Sequence, residues 1–538
     1  MLFKNYRFLL FVGSVLLYLP FLGGMHLFDW DEINFAESAR EMLVSGDWLT
    51  VQIDFKPFWE KPPLFIWMQV LSMKLFGINE FAARFPNAIA GILTIQLLFA
   101  LGKTWKNEQF GFWWAILHGL SFLPFLYFKS GIIDPWFNLF IFSGLIYFFK
   151  FYNAAESEVK RLDIFVSALS IGLSVLTKGP VGFLIFSTVI GIVMAVDIYK
   201  KTFSKNVNFQ RFLLWCLVFI LVGGSWFGLL LMNGKGQVIA DFMVYQIRLF
   251  QTEDAGHGGF PLYHFVIWLL VLFPIGWMSI SGLYQKVEDE KLKSQVFWMR
   301  VLFWVVLILF SIVKTKIVHY SSMMYFPVSF LSALLFVGDF KWKVWQKTGL
   351  WITAFIWSVL VFVMPHVDDY KAKIIAKGWI KDEFAVANLE ANAAWTGFES
   401  FIVLLFLGGI TYFLWFRNAK FKRQLFAGSQ LLFVCFLVYF VPFRVEKYSQ
   451  ASAINFCKRA AKEEIPIYSV GYKSYATLFY GQRKPEHSKS TVDEYLLQAH
   501  LSPCYFVFKT TSEKDIFAQY PNLQVIDKSN GFILALKK

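Results

Sequence analysis

The sequence predicts a mainly α, polytopic membrane protein with a small C-terminal α/β domain. Four observations carry that prediction. Hydrophobic residues make up 57% of the 538 and charged residues only 16%, where a soluble chain carries roughly a quarter. Mean hydropathy is +0.52. Apolar runs long enough to cross a bilayer recur through residue 443, with basic residues between them, and the composition turns polar beyond it. Aromatics reach 20%, which suits side chains set in lipid and at its interfaces.

Taken in order, the candidate spans are 8–25, 84–102, 109–128, 132–150, 163–177, 180–198, 211–232, 261–283, 296–313, 319–338, 349–365, 400–416 and 424–443, or about 13 of ~20 residues each. Lys4 and Arg7 precede the first run. Phe21-Leu22-Gly23-Gly24 offers no small-x-small cleavage site, so the run is read as a retained span rather than a leader. The net charge of +14 carries no nucleic-acid motif, and no nucleic-acid partner is expected. The charge follows topology instead. With the N-terminus inside, the inner loops hold Lys103 and Lys106; Lys150, Lys160 and Arg161; Lys200, Lys201 and Lys205; Lys286, Lys291 and Lys293; Lys341, Lys343 and Lys347; and Arg417, Lys420, Lys422 and Arg423. The outer loop 366–399 also carries lysines, balanced by Asp368, Asp369, Asp382, Glu383 and Glu390. An odd span count places the long segments 26–83, 233–260, 366–399 and 444–538 outside, and the chemistry with them.

Residues 1–443 therefore read as a transmembrane domain and 444–538 as an outer α/β domain. Within the first outer loop, 26–83, Phe35, Ala39, Met42 and Leu43 recur at helical spacing, with Glu37, Arg40 and Glu41 opposite and Gly46 as the stop. Leu64 to Phe76 forms a second apolar stretch behind Pro62-Pro63, and prolines open helices well because no partner for their nitrogen is needed there. Both are too short to span and are expected to lie in the interface. In the tail, residues 450–464, 493–497 and 513–520 read as helices, and 466–470, 503–508 and 532–536 as strands. Cys457 and Cys504 in the tail allow a disulfide in an oxidising compartment; Cys216 and Cys435 fall in apolar spans.

The ionisable groups expected outside are informative because membrane-proximal charges mark functional sites by default. Asp31, in Asp29-Trp30-Asp31-Glu32, reads either as a helix N-cap or as a base. In Glu60-Lys61-Pro62-Pro63, Lys61 is a point charge for a phosphate and Glu60 a base or metal ligand, against the plainer reading of a surface ion pair. Asp134 begins a span before Pro135, and Lys178 sits in the turn Thr177-Lys178-Gly179-Pro180. Arg248 offers a phosphate fork. His257, among Gly256, Gly258 and Gly259, reads as a solvated loop residue or as a divalent-metal ligand. Lys314-Thr315-Lys316-Ile317-Val318-His319-Tyr320 brings Lys316 to another outer span end. Acids and bases from five separate loops thus converge on one side, as a substrate with a phosphate and a lipid tail requires.

Asp31-Glu32, Phe35-Ala36-Glu37-x-x-Arg40-Glu41-Met42, Ser45-Gly46-Asp47-Trp48 and Glu60-Lys61-Pro62-Pro63 together resemble the bacterial aminoarabinose transferases that modify lipid A. Those belong with the protein O-mannosyltransferases among the polyprenyl-phosphate-dependent glycosyltransferases of GT-C fold. The likeness continues through Leu75 to Pro86, Asp134, Leu176 to Pro180 and the loop ending at His257, over about residues 1–330. It implies an inverting transfer of a sugar from an undecaprenyl-phosphate donor to a lipid A, protein or glycan acceptor, at the periplasmic face of a bacterial inner membrane. It maps the essential loop aspartate to Asp31, the second aspartate to Asp134, the phosphate-binding lysine to Lys61 and a metal contact (zinc, or magnesium or manganese) to His257, with Glu60 beside it. Arg248, Lys316 and Lys178 are expected on the donor phosphate, and Glu32, Glu37 and Arg84 on substrate. Asn34 and Phe35 stand where that family usually has an arginine and a tyrosine, so no particular sugar is named. The alternatives are a flippase or transporter of polyprenyl-linked sugars, expected to show repeated halves that are not visible here, and a ligase for whole glycans.

Overall fold

The hydrophobic pattern that predicts spans produces helices, and the helices assemble around one aromatic-rich core. The computed structural model describes residues 5–29, 31–253, 258–416, 421–497 and 503–538. Among the described residues, six helical segments are long and apolar enough to cross a membrane: Glu80–Trp105, Val181–Tyr199, Glu290–Ile312, Val318–Val337, Val344–Ala376 and Lys422–Tyr448. Three bent pairs raise the number to 9: Glu108–Gly119 with Phe122–Phe128, Phe209–Gly223 with Ser225–Met232, and Tyr263–Val271 with Ile275–Tyr284, the last bent by 112°. The protein is a multi-pass membrane protein, although 13 spans do not emerge by this measure. The remaining four expected spans also form helices, but with features that explain the difference. Tyr6–Tyr18 and Ser400–Trp415 are short. Arg161–Lys178 carries Arg161, Asp163 and Lys178 within its 18 residues. Asp134–Asn153 has Asp134, Asn138 and Lys150 among its apolar residues.

Lipid accounts for what faces outward. On Phe209–Gly223 the large side chains Leu213, Leu217, Ile220 and Leu221 are exposed, a patch that a protein surrounded by water rarely tolerates. Inside, the bundle is close-packed. A Cβ on Gly102 would lie 2.4 Å from the Gly111 Cα, so glycine at both positions lets the helices Glu80–Trp105 and Glu108–Gly119 touch through their backbones, as small residues do in membrane bundles. Trp114 is fully buried, and its indole N–H donates to Ser329 Oγ at 3.0 Å.

The segment 26–83 forms the expected helices, Asp31–Ser45 and Leu64–Phe76, which stop at Gly46 and Gly77, both with positive φ. Only the second keeps the exposed apolar edge of an interfacial helix, at Leu71 and Leu75. Asp31–Ser45 is buried from Glu32 through Met42. The expected polar face of Glu37, Arg40 and Glu41 is inside the molecule because the tail covers it.

That tail holds a four-stranded sheet in the order Ile467–Ser469, Cys504–Lys509, Phe532–Lys537, Gln524–Ser529; the first pair is parallel and the others antiparallel. The edge strand Gln524–Ser529 is absent from the sequence reading. It is largely exposed, so it lacks the apolar alternation of a half-buried strand. One sheet face packs with the helix Ala451–Lys462 against Leu27, Ile33, Ala36 and Met42 of the first loop. The disulfide allowed by the sequence does not form: Cys457 and Cys504 are free. Cys457 lies in the core on the first-loop side, whereas Cys504 points with Phe506 and Phe508 into the core of the opposite sheet face.

Candidate active site

Two helices joined by a short loop bring the first two charged groups together. Asp134–Asn153 packs against Arg161–Lys178, so the start of the first meets the end of the second. Lys178 Nζ donates to Asp134 Oδ1 at 2.6 Å, and both side chains are largely buried. Each charge sits at the helix end whose dipole favours it, the acid at an N-terminus and the base at a C-terminus. The following Gly179 has φ +87°, and a Cβ there would come within 2.7 Å of the Phe242 ring. Glycine alone makes this turn under the helix Gly236–Gln251 without strain.

From the other side, Val318–Met324 carries His319 toward the pair. Its Nε2 lies 3.6 Å from Asp31 Oδ2 and 3.9 Å from Asp134 Oδ2. The charges near enough to act on the imidazole come from four segments: Asp134, Lys178, Asp31 and Lys61. The Asp31 side chain is 45% exposed, whereas that of Asp134 is 2% exposed. Asp31 is the first residue of its helix and opens to the site, while Asp134 forms the floor. Among the described residues, Asp134 Oδ2 accepts no hydrogen bond.

Lys61 and Lys178 line a cleft whose other walls are Phe137, Val181, Gln246, Leu249, Phe310, Val313 and Tyr320. Its outer wall is the helix Gly236–Gln251. There the Tyr245 ring has Lys61 Nζ 5.1 Å from its centroid and the Arg248 guanidinium carbon at the same distance. Lys178 Nζ also lies 5.0 Å from the Tyr320 ring centroid. The result is an apolar cleft lined by two lysines, with Arg248 beside it on the Tyr245 ring.

The remaining expected residues have different surroundings. Lys316 Nζ turns back onto the end of Glu290–Ile312 and donates to the carbonyls of Phe310, Ser311 and Val313. It satisfies helix-terminal carbonyls and does not line the cleft. Glu32 and Arg84 form a buried ion pair at 2.9 Å. Arg84 also donates to the carbonyls of Leu22, Met25 and His26, and Glu32 accepts from the backbone N–H of Phe28 and Gly131. Burial opposes the Glu32 charge, yet Arg84 and these N–H groups hold its carboxyl below the usual carboxylate range. Glu37 accepts both Arg40 Nε and Nη2, at 2.7 and 2.6 Å, and Arg40 reaches on to the Arg483 carbonyl of the tail. These three expected substrate contacts, Glu32, Glu37 and Arg84, are thus consumed in buried scaffold bonds. Glu60 is half-buried and faces Tyr475 of the tail. His257 lies outside the described residues. Among those described, no group of three or more His, Cys, Asp or Glu is placed to hold a metal ion.

Sequence reasoning did not single out His319 or Tyr245. His319 follows Lys314 and Lys316 by a few residues, and its sequence signal is an imidazole at the expected end of a span. Tyr245 had no signal, since an aromatic on an amphipathic helix reads as packing.

Comparison with known proteins agrees with this architecture. The family model for dolichyl-phosphate-mannose-protein mannosyltransferases matches residues 60–226, the stretch that holds Lys61, Asp134 and Lys178. Three similar proteins carry the name undecaprenyl phosphate-α-4-amino-4-deoxy-L-arabinose arabinosyl transferase. The one from Proteus mirabilis is 27% identical over 68% of this chain and 66% of its own length. That from Photorhabdus laumondii is 26% identical over 61% and 58%, and that from Yersinia pestis 26% over 85% and 79%. The chain thus spans somewhat less than two thirds of the first two relatives. The crystal structure of ArnT from Cupriavidus metallidurans bound to undecaprenyl phosphate superposes with a TM-score of 0.77 at 17% identity, covering 98% of this chain and 97% of that one. The apo form of that protein gives 0.76. The fold is that of the GT-C membrane glycosyltransferases. Within that class, the resemblance to the aminoarabinose transferases read from the first-loop motifs holds in sequence and in structure.

Proposed function

We propose that the chain transfers a sugar from an undecaprenyl-phosphate carrier to a lipid A, protein or glycan acceptor, at the periplasmic face of the inner membrane, with the tail on the same side. The observation that carries this reading is the joining of two features. Asp31 and Asp134 lie within 4 Å of one imidazole, with Lys178 paired to Asp134, and Lys61 and Lys178 line an apolar cleft. The cleft suits a prenyl chain, its head a phosphate, and the carboxylate beside it an acceptor hydroxyl. The relatives' names supply the carrier, and the positive-inside pattern supplies the side.

The chemistry follows from the placement. Asp31 accepts the proton of the acceptor hydroxyl as that oxygen bonds to the anomeric carbon. The bond from this carbon to the phosphate oxygen breaks on the opposite face, and its electron pair leaves on the phosphate. Lys61 and Arg248 hold the charge that develops there. Lys178, balanced by Asp134, fixes the floor between the two sides. Displacement across the carbon inverts its configuration. No step is routed through a metal.

The test is reconstitution of the purified chain in liposomes with undecaprenyl phosphate-α-4-amino-4-deoxy-L-arabinose or undecaprenyl phosphate-mannose, lipid A or a serine-rich peptide as acceptor, and mass spectrometry of the products. A new glycosidic product supports the reading. Movement of the donor between leaflets with no product makes the chain a flippase.

A further inference from the structure

We infer that His319 is a positioning residue of this site: its Nε2–H is placed to hydrogen-bond the Asp31 carboxylate beside the buried Asp134–Lys178 pair. The inference rests on the transferase reading above. The nitrogen is near both acids, at 3.6 Å from Asp31 and 3.9 Å from Asp134. A single N–H serves one carboxylate at a time, and a shift of about half an ångström brings Asp31 into hydrogen-bond range, whereas Asp134 needs a larger one. The two candidates differ in what already holds them. Asp134 is fixed by Lys178. Asp31 is half-exposed, and it is the one that must meet an incoming acceptor at a set angle.

The ring itself is well held. It packs at an angle against Tyr127, centroids 6.4 Å apart, and against Tyr320, at 5.4 Å. Its side chain is 14% exposed. Tyr320 also packs on Lys178 and lines the cleft, so the turn that carries His319 touches both the acid side and the phosphate side. A residue locked by aromatic neighbours and reaching the only half-exposed acid in the cluster is built to orient that acid. His319 does not take the acceptor proton in this account; that proton goes to Asp31 and from there to water.

The experiment compares His319→Phe, His319→Asn and His319→Ala with the unaltered protein in the liposome assay, with thermal unfolding and undecaprenyl phosphate affinity measured alongside. Phenylalanine keeps the ring packing and removes the N–H. The expected result is a fall in kcat of roughly 10- to 100-fold for the Phe and Ala variants, with donor KM, phosphate affinity and unfolding temperature little changed. Partial recovery is expected in the Asn variant, and on adding imidazole to the Ala variant. If the Phe variant does not fold, the Asn and Ala pair decides. An unchanged kcat overturns the inference. So does a loss that tracks unfolding temperature and is recovered by neither Asn nor imidazole, which marks a packing role. If the unaltered protein transfers from neither donor, the transferase reading itself fails and the inference falls with it; normal wild-type turnover with indifferent variants removes the inference alone.

Discussion

Asp31 and Glu32 are neighbours in one motif, yet they do opposite work. Asp31 opens to the site, its side chain half-exposed beside His319. Glu32 is turned into the protein, paired with Arg84 and accepting two backbone N–H bonds. The same division separates the lysines: Lys61 and Lys178 head an apolar cleft, while Lys316 closes the end of a helix. Charge around the site is therefore of two kinds. One kind is left accessible for a substrate; the other locks loops and helix ends in place, where a buried partner that loses its mate is costly. Position along the chain does not sort them, because successive residues on a helix point about 100° apart.

Substitutions at the two acids sharpen this contrast. Asp31→Asn is expected to lower transfer by about 10²- to 10⁴-fold, with an unfolding temperature close to that of the unaltered protein, as read from product formation and thermal unfolding in detergent. Glu32→Ala is expected to do the reverse, costing about 3–5 kcal/mol of stability by stranding Arg84 while the folded fraction keeps its turnover. Comparable stability loss in both, or comparable activity loss without unfolding in both, breaks the distinction.

A smaller effect lies under the tail. Burial, together with the neighbouring Glu37 carboxylate, pushes Glu41 up to about 9, although it accepts the N–H groups of Asp54 and Phe55. A carboxyl whose folded pKa is raised contributes its stability fully below its unfolded value, near 4.5, and loses it as pH climbs toward 9. Asp54 is shifted the same way, chiefly by burial. The unfolding temperature is thus expected to fall by a few degrees between pH 6 and 9, and Glu41→Gln to flatten that slope. A slope unchanged by the substitution contradicts the burial of a shared proton there.

Much of the fold was legible because membrane spans and turn residues have simple causes. Long apolar runs make helices wherever they occur, and Pro62-Pro63, Gly46, Gly77 and Gly179 mark ends that only those residues serve well. Asp31, Lys61, Asp134 and Lys178 could be collected as one set because each sits in a segment expected on the same side, Lys61 in the 26–83 loop and the others near the ends of expected spans. What stayed hidden was tertiary. The helix Asp31–Ser45 carries the polar pattern of an interfacial helix, and nothing in that pattern says that a domain some 420 residues later covers it, as the bonds from Leu27 N–H to Tyr480 and from Arg40 to the Arg483 carbonyl do. Gln524–Ser529 has too little apolar alternation to read as a strand. His319 and Tyr245 gain their roles only from distances that no spacing encodes.

The central claim is that the cleft headed by Lys61 receives the carrier phosphate while the outer charge at Lys316 does not. Titration of the purified protein with undecaprenyl phosphate, comparing Lys61→Ala with Lys316→Met, tests it directly. The expected result is an affinity roughly 10-fold weaker for the first, the loss of one charge-assisted contact, and an unchanged affinity for the second beside a lowered unfolding temperature. Equal affinity for Lys61→Ala and the unaltered protein, or a loss confined to Lys316→Met, contradicts it.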